Sequence, residues 1–381
     1  MANTIYNFSA GPSVLPKDAL ATAGAEILNY KDSGQSVMEM SHRSAVFVEI
    51  FEETKSTLIN LLNVPDTHEV LFLQGGATTQ FAAVPLNLIG RTGVADYAVT
   101  GNFSGLAYKE AAKFGTINLA ASSENTNFTY IPKQNELNVD PNASYFHYCA
   151  NNTIYGSEWK YIPVTGDVPL VADMSSNILT QEVNVSRYGV IYAGAQKNMA
   201  PAGVTLVIVR KDLAGSALPY TPVMLDYAAQ IKGDSMHNTP PCWAIYMLGL
   251  VLKWIEANGG IAGMEQLKRE RSGLLYDYLD NSDLFSNPVN PKDRSFMNIP
   301  FITGDAAIDA DFIKSAEAHG LVNIAGHRKV GGMRASMYNA MPVEGAQELV
   351  TFMKDFESKQ KTTVAVGGTA ETDENESSAK L

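Results

Sequence analysis

The chain has 381 residues, 45% hydrophobic and 18% charged, an ordinary soluble globular composition with length enough for two cores. Its formal net charge of −12 would repel phosphate backbones, and no basic patch interrupts it, so a nucleic-acid partner is not expected. No apolar run approaches the roughly 18 residues a membrane helix needs, the N-terminus lacks the basic and apolar stretches of a secretion signal, and the two cysteines, Cys149 and Cys242, offer neither a disulfide framework nor a metal-ligand spacing.

The opening NFSAGPSVLP reads as an extended arm over residues 1–15, in which Ser9, Gly11 and Pro12 either line a pocket or shape a turn. Helices are expected at 17–30 and 44–63, the second capped by Ser44. His42 and Arg43 stand together before it, suiting either an anion site or a solvated surface pair. A strand at 69–74 then runs into Gly75, Gly76, Ala77, Thr78 and Thr79 and a helix. That order aims several backbone N–H groups at one point, where a phosphate can approach closely, although the GK[ST] of a nucleotide loop is lacking.

Further strands at 96–100, 144–150, 169–173 and 190–192, separated by polar turns, predict an α/β fold with a mostly parallel sheet and covering helices. Ligands of such sheets bind beyond the carboxyl ends of the strands. That edge collects the Gly75/Gly76 pair, Phe103, Thr153, Asp173 and Lys197. Taken singly, each has a structural explanation: a core phenylalanine, a turn aspartate, a strand-end lysine reaching for water. A lysine and an acid on adjacent strand ends nonetheless suit pyridoxal phosphate, which needs a lysine for its Schiff base and a carboxylate for its ring nitrogen.

Residues 220–241 read as loop, followed by a helix over 243–256 that ANGG closes. Helices at 264–279 and 307–319 and the strand-like RSFMNIPF and GGMRASMYN make a smaller α/β domain. There GHRKVGGMRASMY places His327, Arg328 and Arg334 among glycines, and an arginine in a strand either faces outward or awaits a carboxylate. The expected division is an arm (1–15), a large cofactor-binding domain (16–257), a small C-terminal domain (258–358) and a disordered tail (359–381). The tail ends in Ala379-Lys380-Leu381, similar to a relaxed peroxisomal address, as chance alone also produces.

In order over residues 7–341, the segments NFSAGPS, EMSHRS, LFLQGGATTQF, NNTIYG, VADMSSN, AGAQKN, HNTPP and GHRKVGGMRASMYNAM resemble the phosphoserine aminotransferases, a family of the class V aminotransferases. The resemblance implies the pyridoxal-phosphate-dependent aminotransferase fold (fold type I). It implies transfer of an amino group between L-glutamate and 3-phosphohydroxypyruvate in serine biosynthesis, by a cytoplasmic homodimer using pyridoxal 5'-phosphate and no metal. Lys197 would bind the cofactor covalently and shuttle protons, Asp173 would pair with the ring nitrogen, Phe103 would stack on the ring where many relatives have tryptophan, and Thr153 would bond the ring hydroxyl. Gly76, Ala77, Thr78 and Gln196 would hold the cofactor phosphate, with Asn238 and Thr239 from the second subunit. Arg334 would bind the substrate α-carboxylate, with Ser9 in the substrate site and His42, Arg43, His327 and Arg328 around the distal group, some from the partner chain.

One position departs from part of the family: some relatives carry arginine where this chain has Thr78, so recognition of the substrate phosphate would rest more on the histidines and arginines. A class V enzyme for unphosphorylated substrates, such as alanine or serine with glyoxylate or pyruvate, would leave those cations unpaired. A non-catalytic dimeric binding protein of the same fold would have no use for Lys197 beside Asp173. A cysteine desulfurase would need a mobile nucleophile, which neither Cys149 nor Cys242 resembles.

Overall fold

The computed structural model describes residues 4–367. The arm contains β1 (Tyr6–Asn7), followed by α1 (Lys17–Glu26) and α2 (Ala45–Leu62). Ser44 caps α2 as expected, its side chain accepting from Phe47 N at 3.3 Å. Then come β2 (His68–Leu73), α3 (Gly76–Leu88), β3 (Val94–Val99), α4 (Asn102–Ala111), β4 (Thr116–Ser122), β5 (Phe146–Cys149), β6 (Leu170–Asp173), β7 (Val190–Gly194) and β8 (Thr205–Arg210). These strands form one sheet in the order β2-β8-β7-β6-β5-β3-β4, and β8 alone runs against its neighbours.

Strands β5, β6 and β7 are buried at every residue. They are covered on both faces, which is why their sequences run apolar without alternation. One face packs Phe47, Ile50, Phe51 and Leu58 of α2 and the other Phe81, Val84 and Leu88 of α3. The edge strand β4, TINLAAS, is mostly half-exposed, and its small and polar residues gave no strand signal. Its pairing with β3 makes it a strand.

The second half of the chain contains α5 (Tyr227–Lys232), α6 (Cys242–Ala257), α7 (Gly260–Leu279), β9 (Asn298–Phe301), α8 (Ala306–His319), β10 (Leu321–Val322), β11 (Met333–Ser336) and α9 (Val343–Gly367). The six-residue α5 lies inside the stretch expected to be loop; Asp226 caps it by accepting from Ala228 N. A separate core gathers Leu275, Phe285, Phe301, Phe312, Met333 and Phe356.

Three features bear on the expected division into arm, large domain, small domain and tail. The arm is not independent: β1 pairs with β10, and Phe8 is fully buried in the second core. Helix α7 spans both cores, with Ile261 and Met264 in the first and Leu275 and Leu279 in the second. Helix α9 continues past residue 358, where the tail was expected to begin, and there Lys361 reaches Glu357 one turn back at 3.0 Å and Asp283 at 2.7 Å. The remainder of that tail, including Ala379-Lys380-Leu381, lies outside the described residues. Among the described residues no helix is long and apolar enough to cross a membrane.

Candidate functional site

The parallel strands β2, β3, β5, β6 and β7 all end on one edge, and the residues singled out from the sequence follow those ends. In the turn after β7, Lys197 Nζ donates to Thr153 Oγ1 at 2.7 Å and lies 5.4 Å from the centroid of the Phe103 ring. Asp173 closes the adjacent strand β6 and is 7% exposed. Its Oδ1 accepts from Ser175 N at 2.9 Å, while the Cys149 thiol makes a weak 3.7 Å contact with Oδ2. Cys149 is a buried core residue, and its burial with Asp173 alongside pushes the thiol well above its ordinary range.

Lys197 is half-buried as a residue, but its amine lies deep among protein atoms. Burial pulls its pKa down to about 8; Asp173 opposes that fall and Arg334 adds to it. A lysine with that pKa is about half free amine near pH 8, whereas an ordinary lysine is almost wholly charged there.

The arm supplies a feature the sequence showed only as a turn. Ser13 N donates to Gln196 O at 3.0 Å and Ser13 Oγ to Lys197 O, strapping the arm to the lysine turn. Gly11, at φ +137°, lies so close that a Cβ would stand 3.3 Å from Lys197 Cγ. Ser9 accepts from Gly11 N at 3.4 Å and belongs to the same strap.

After β2 the chain turns through Gly75 at φ +93°, where a Cβ would stand 2.0 Å from Thr79 Oγ1. Helix α3 then begins at Gly76 with no side-chain cap, so the N–H groups of Gly76, Ala77 and Thr78 open its N-terminus. Gln74 Nε2 donates to Thr239 O at 3.3 Å, and Asn238 lines a cavity of about 230 Å3 with Gly75 and Thr79. Gln196 borders Gly11 beside Lys197.

From the second core, Arg334 on β11 donates through its NH1 to Thr153 O at 3.2 Å. Its Nε is buried with no hydrogen-bond partner among the described residues. A buried guanidinium with an unused donor fits a carboxylate. Tyr338 OH donates to Ala10 O at 2.8 Å and accepts from Asn298 Nδ2 at 3.1 Å. Asn298 also accepts from Asn151 Nδ2 at 2.9 Å, so a buried polar network absent from the sequence reading joins the cores behind the site.

His327 and Arg328 lie in the loop before β11, and His327 is held below its ordinary range by burial first and then by Arg334. His42 and Arg43 lie in the turn ahead of α2; Arg43 is exposed and forms no ion pair among the described residues. The enclosed amine, the hydroxyl facing it, the acid one strand over, the uncapped helix start and the unsatisfied guanidinium together fit a phosphate-bearing pyridine aldehyde and a substrate carboxylate.

The description of class-V aminotransferases matches residues 5–349 of the chain. The phosphoserine aminotransferase of Janthinobacterium sp. (strain Marseille) is 50% identical over 358 residues, covering 93% of this chain and 99% of the relative. Among solved structures, a phosphoserine aminotransferase from Bacillus circulans subsp. alkalophilus aligns with a TM-score of 0.92 at 44% identity, covering 93% of this chain and 99% of that one. The pyridoxal-phosphate-bound phosphoserine aminotransferase of Trichomonas vaginalis aligns with a TM-score of 0.88 at 39% identity, covering 92% and 99%.

Proposed function

Because this chain belongs to the class V aminotransferase family, we propose that it takes its amino group from L-glutamate and passes it to 3-phosphohydroxypyruvate, giving 2-oxoglutarate and O-phospho-L-serine for serine biosynthesis. It is a pyridoxal-phosphate-dependent transaminase of fold type I. The observation that carries the reading is the convergence of Lys197, Asp173 and Arg334 on one strand edge, with Thr153 bonded to both cations.

Pyridoxal phosphate, when bound, supplies an electron sink that lets the substrate Cα give up its proton. Lys197 would hold the cofactor covalently, and its free amine would move the proton at the substrate Cα. Its lowered pKa keeps an appreciable fraction of that amine unprotonated near neutral pH. Asp173, fixed by Ser175 N–H, would hold a proton on the ring nitrogen. Phe103 would cover the ring, and the Thr153 hydroxyl would be offered to the ring oxygen. Gly76, Ala77 and Thr78 present the N–H groups of α3 to the phosphate, aided by Gln196, Asn238 and Thr239. Arg334 grips the α-carboxylate, leaving Ser9, His42, Arg43, His327 and Arg328 for the rest of the substrate.

In this reading a second copy of the chain completes the site, with His42 and Arg43 reaching it from the partner. Leu28 and Met38, 84% and 56% exposed, precede that turn and are the kind of apolar surface a dimer covers. We place the reaction in the cytoplasm, in keeping with the bacterial relative; no observation favours the organelle address.

The test is the reaction itself. Protein loaded with pyridoxal phosphate should convert glutamate and 3-phosphohydroxypyruvate into equal amounts of 2-oxoglutarate and O-phosphoserine, and Lys197→Ala should make neither. No O-phosphoserine from the wild type, or full turnover by Lys197→Ala, would refute the reading.

A further inference from the structure

The loop between β10 and β11 carries His327, Arg328 and Lys329 consecutively, and β11 adds Arg334. None of these side chains forms an ion pair with a carboxylate among the described residues. Lys329 is exposed, and its Nζ donates to Asn102 Oδ1 at 2.5 Å. Asn102 opens α4 across the site, immediately before Phe103, whose ring borders Lys197. The contact therefore carries a cation of the second core to the rim of the first. Burial first, and then the charges of Arg334, Arg328 and Lys329, hold His327 below its ordinary range. A neutral amide oxygen is a modest partner for an ammonium, and a phosphate dianion is a much stronger one.

Resting on the reading above, we propose that Lys329 is a specificity-determining residue for the phosphorylated acceptor: its ammonium leaves Asn102 and engages the distal phosphate beside His327 and Arg328. A phosphate gains more from this added charge than a hydroxyl does, so the contribution appears in selectivity rather than in turnover generally.

The experiment compares kcat/KM for 3-phosphohydroxypyruvate and for hydroxypyruvate, with glutamate as donor, in the wild-type, Lys329→Gln, Lys329→Arg and Asn102→Ala holoenzymes. Lys329→Gln should lower the ratio of the two about tenfold or more, the scale of one charge-assisted contact. Lys329→Arg should keep the ratio within about threefold, and Asn102→Ala should keep it as well, since Asn102 is only the resting partner. Inorganic phosphate should also inhibit Lys329→Gln about tenfold more weakly than wild type. A wild-type ratio in Lys329→Gln would overturn the proposal. So would parallel losses for both acceptors in Lys329→Gln and Asn102→Ala, which would make the contact a structural tie. A wild type with no preference for the phosphorylated acceptor would instead defeat the functional reading beneath it.

Discussion

Lys197 Nζ donates to Thr153 Oγ1 at 2.7 Å, joining the turns after β7 and β5 across the intervening strand β6. Thr153 O also receives Arg334 NH1, so one residue fixes both the amine at the centre of the chemistry and the cation that orients the substrate.

Thr153→Val keeps the shape of that residue and removes its hydroxyl. We expect kcat/KM to fall about ten- to hundredfold, corresponding to one or two hydrogen bonds near the reacting atoms, with Thr153→Ser within about threefold of wild type. Steady-state turnover checks both. Wild-type turnover in Thr153→Val would mean that the hydroxyl does not matter, and a larger loss in Thr153→Ser than in Thr153→Val would point to the methyl group instead.

The lysine pKa predicts a pH profile. Covalent capture of pyridoxal phosphate by the apoprotein requires the free amine, whose fraction grows as pH rises through the folded-state value of about 8. The capture rate, followed by absorbance, should therefore rise between pH 7 and 9 and level off above. An ordinary lysine would give a rate that keeps climbing toward pH 10.5, and that profile would contradict the burial argument.

Asn298 is fully buried and bonds Asn151, Ser336 and Tyr338. Asn298→Ala leaves several of these groups without a partner, and we expect it to cost about 2–4 kcal/mol of unfolding free energy. Urea denaturation of the holoenzyme measures it; a loss below about 0.5 kcal/mol would show that the network is not what couples the cores.

The parts of the site legible in the sequence are those fixed by local rules. Thr153, Asp173 and Lys197 each follow an apolar run, and a parallel sheet sends the ends of such runs to one edge. Gly75 announces a turn because its backbone conformation suits glycine. The contacts of Ser13 with Lys197, Asn151 with Asn298 and Asn102 with Lys329 join residues far apart in the chain, and no periodicity encodes them. Strand β4 escaped because its stability comes from pairing at the sheet edge rather than from an apolar pattern. The C-terminal extension of α9 escaped because its residues just past 358 are polar and carry no apolar stripe; Lys361 instead pairs with Glu357 and Asp283.

Arg334→Ala should raise KM for glutamate and for the phosphorylated acceptor alike, by about tenfold or more, since both present an α-carboxylate to the same guanidinium. Initial-rate measurements with each substrate varied in turn decide it. An effect on only one substrate would contradict a shared carboxylate site.

The most direct test of the central claim is kcat/KM of the wild-type holoenzyme with glutamate as donor, comparing 3-phosphohydroxypyruvate with hydroxypyruvate and glyoxylate. A site that reads phosphate with several cations should favour the phosphorylated acceptor by about a hundredfold or more, roughly 3 kcal/mol. Equal rates, or preference for an unphosphorylated acceptor, would leave the pyridoxal chemistry of Lys197 in place and contradict phosphoserine as the product.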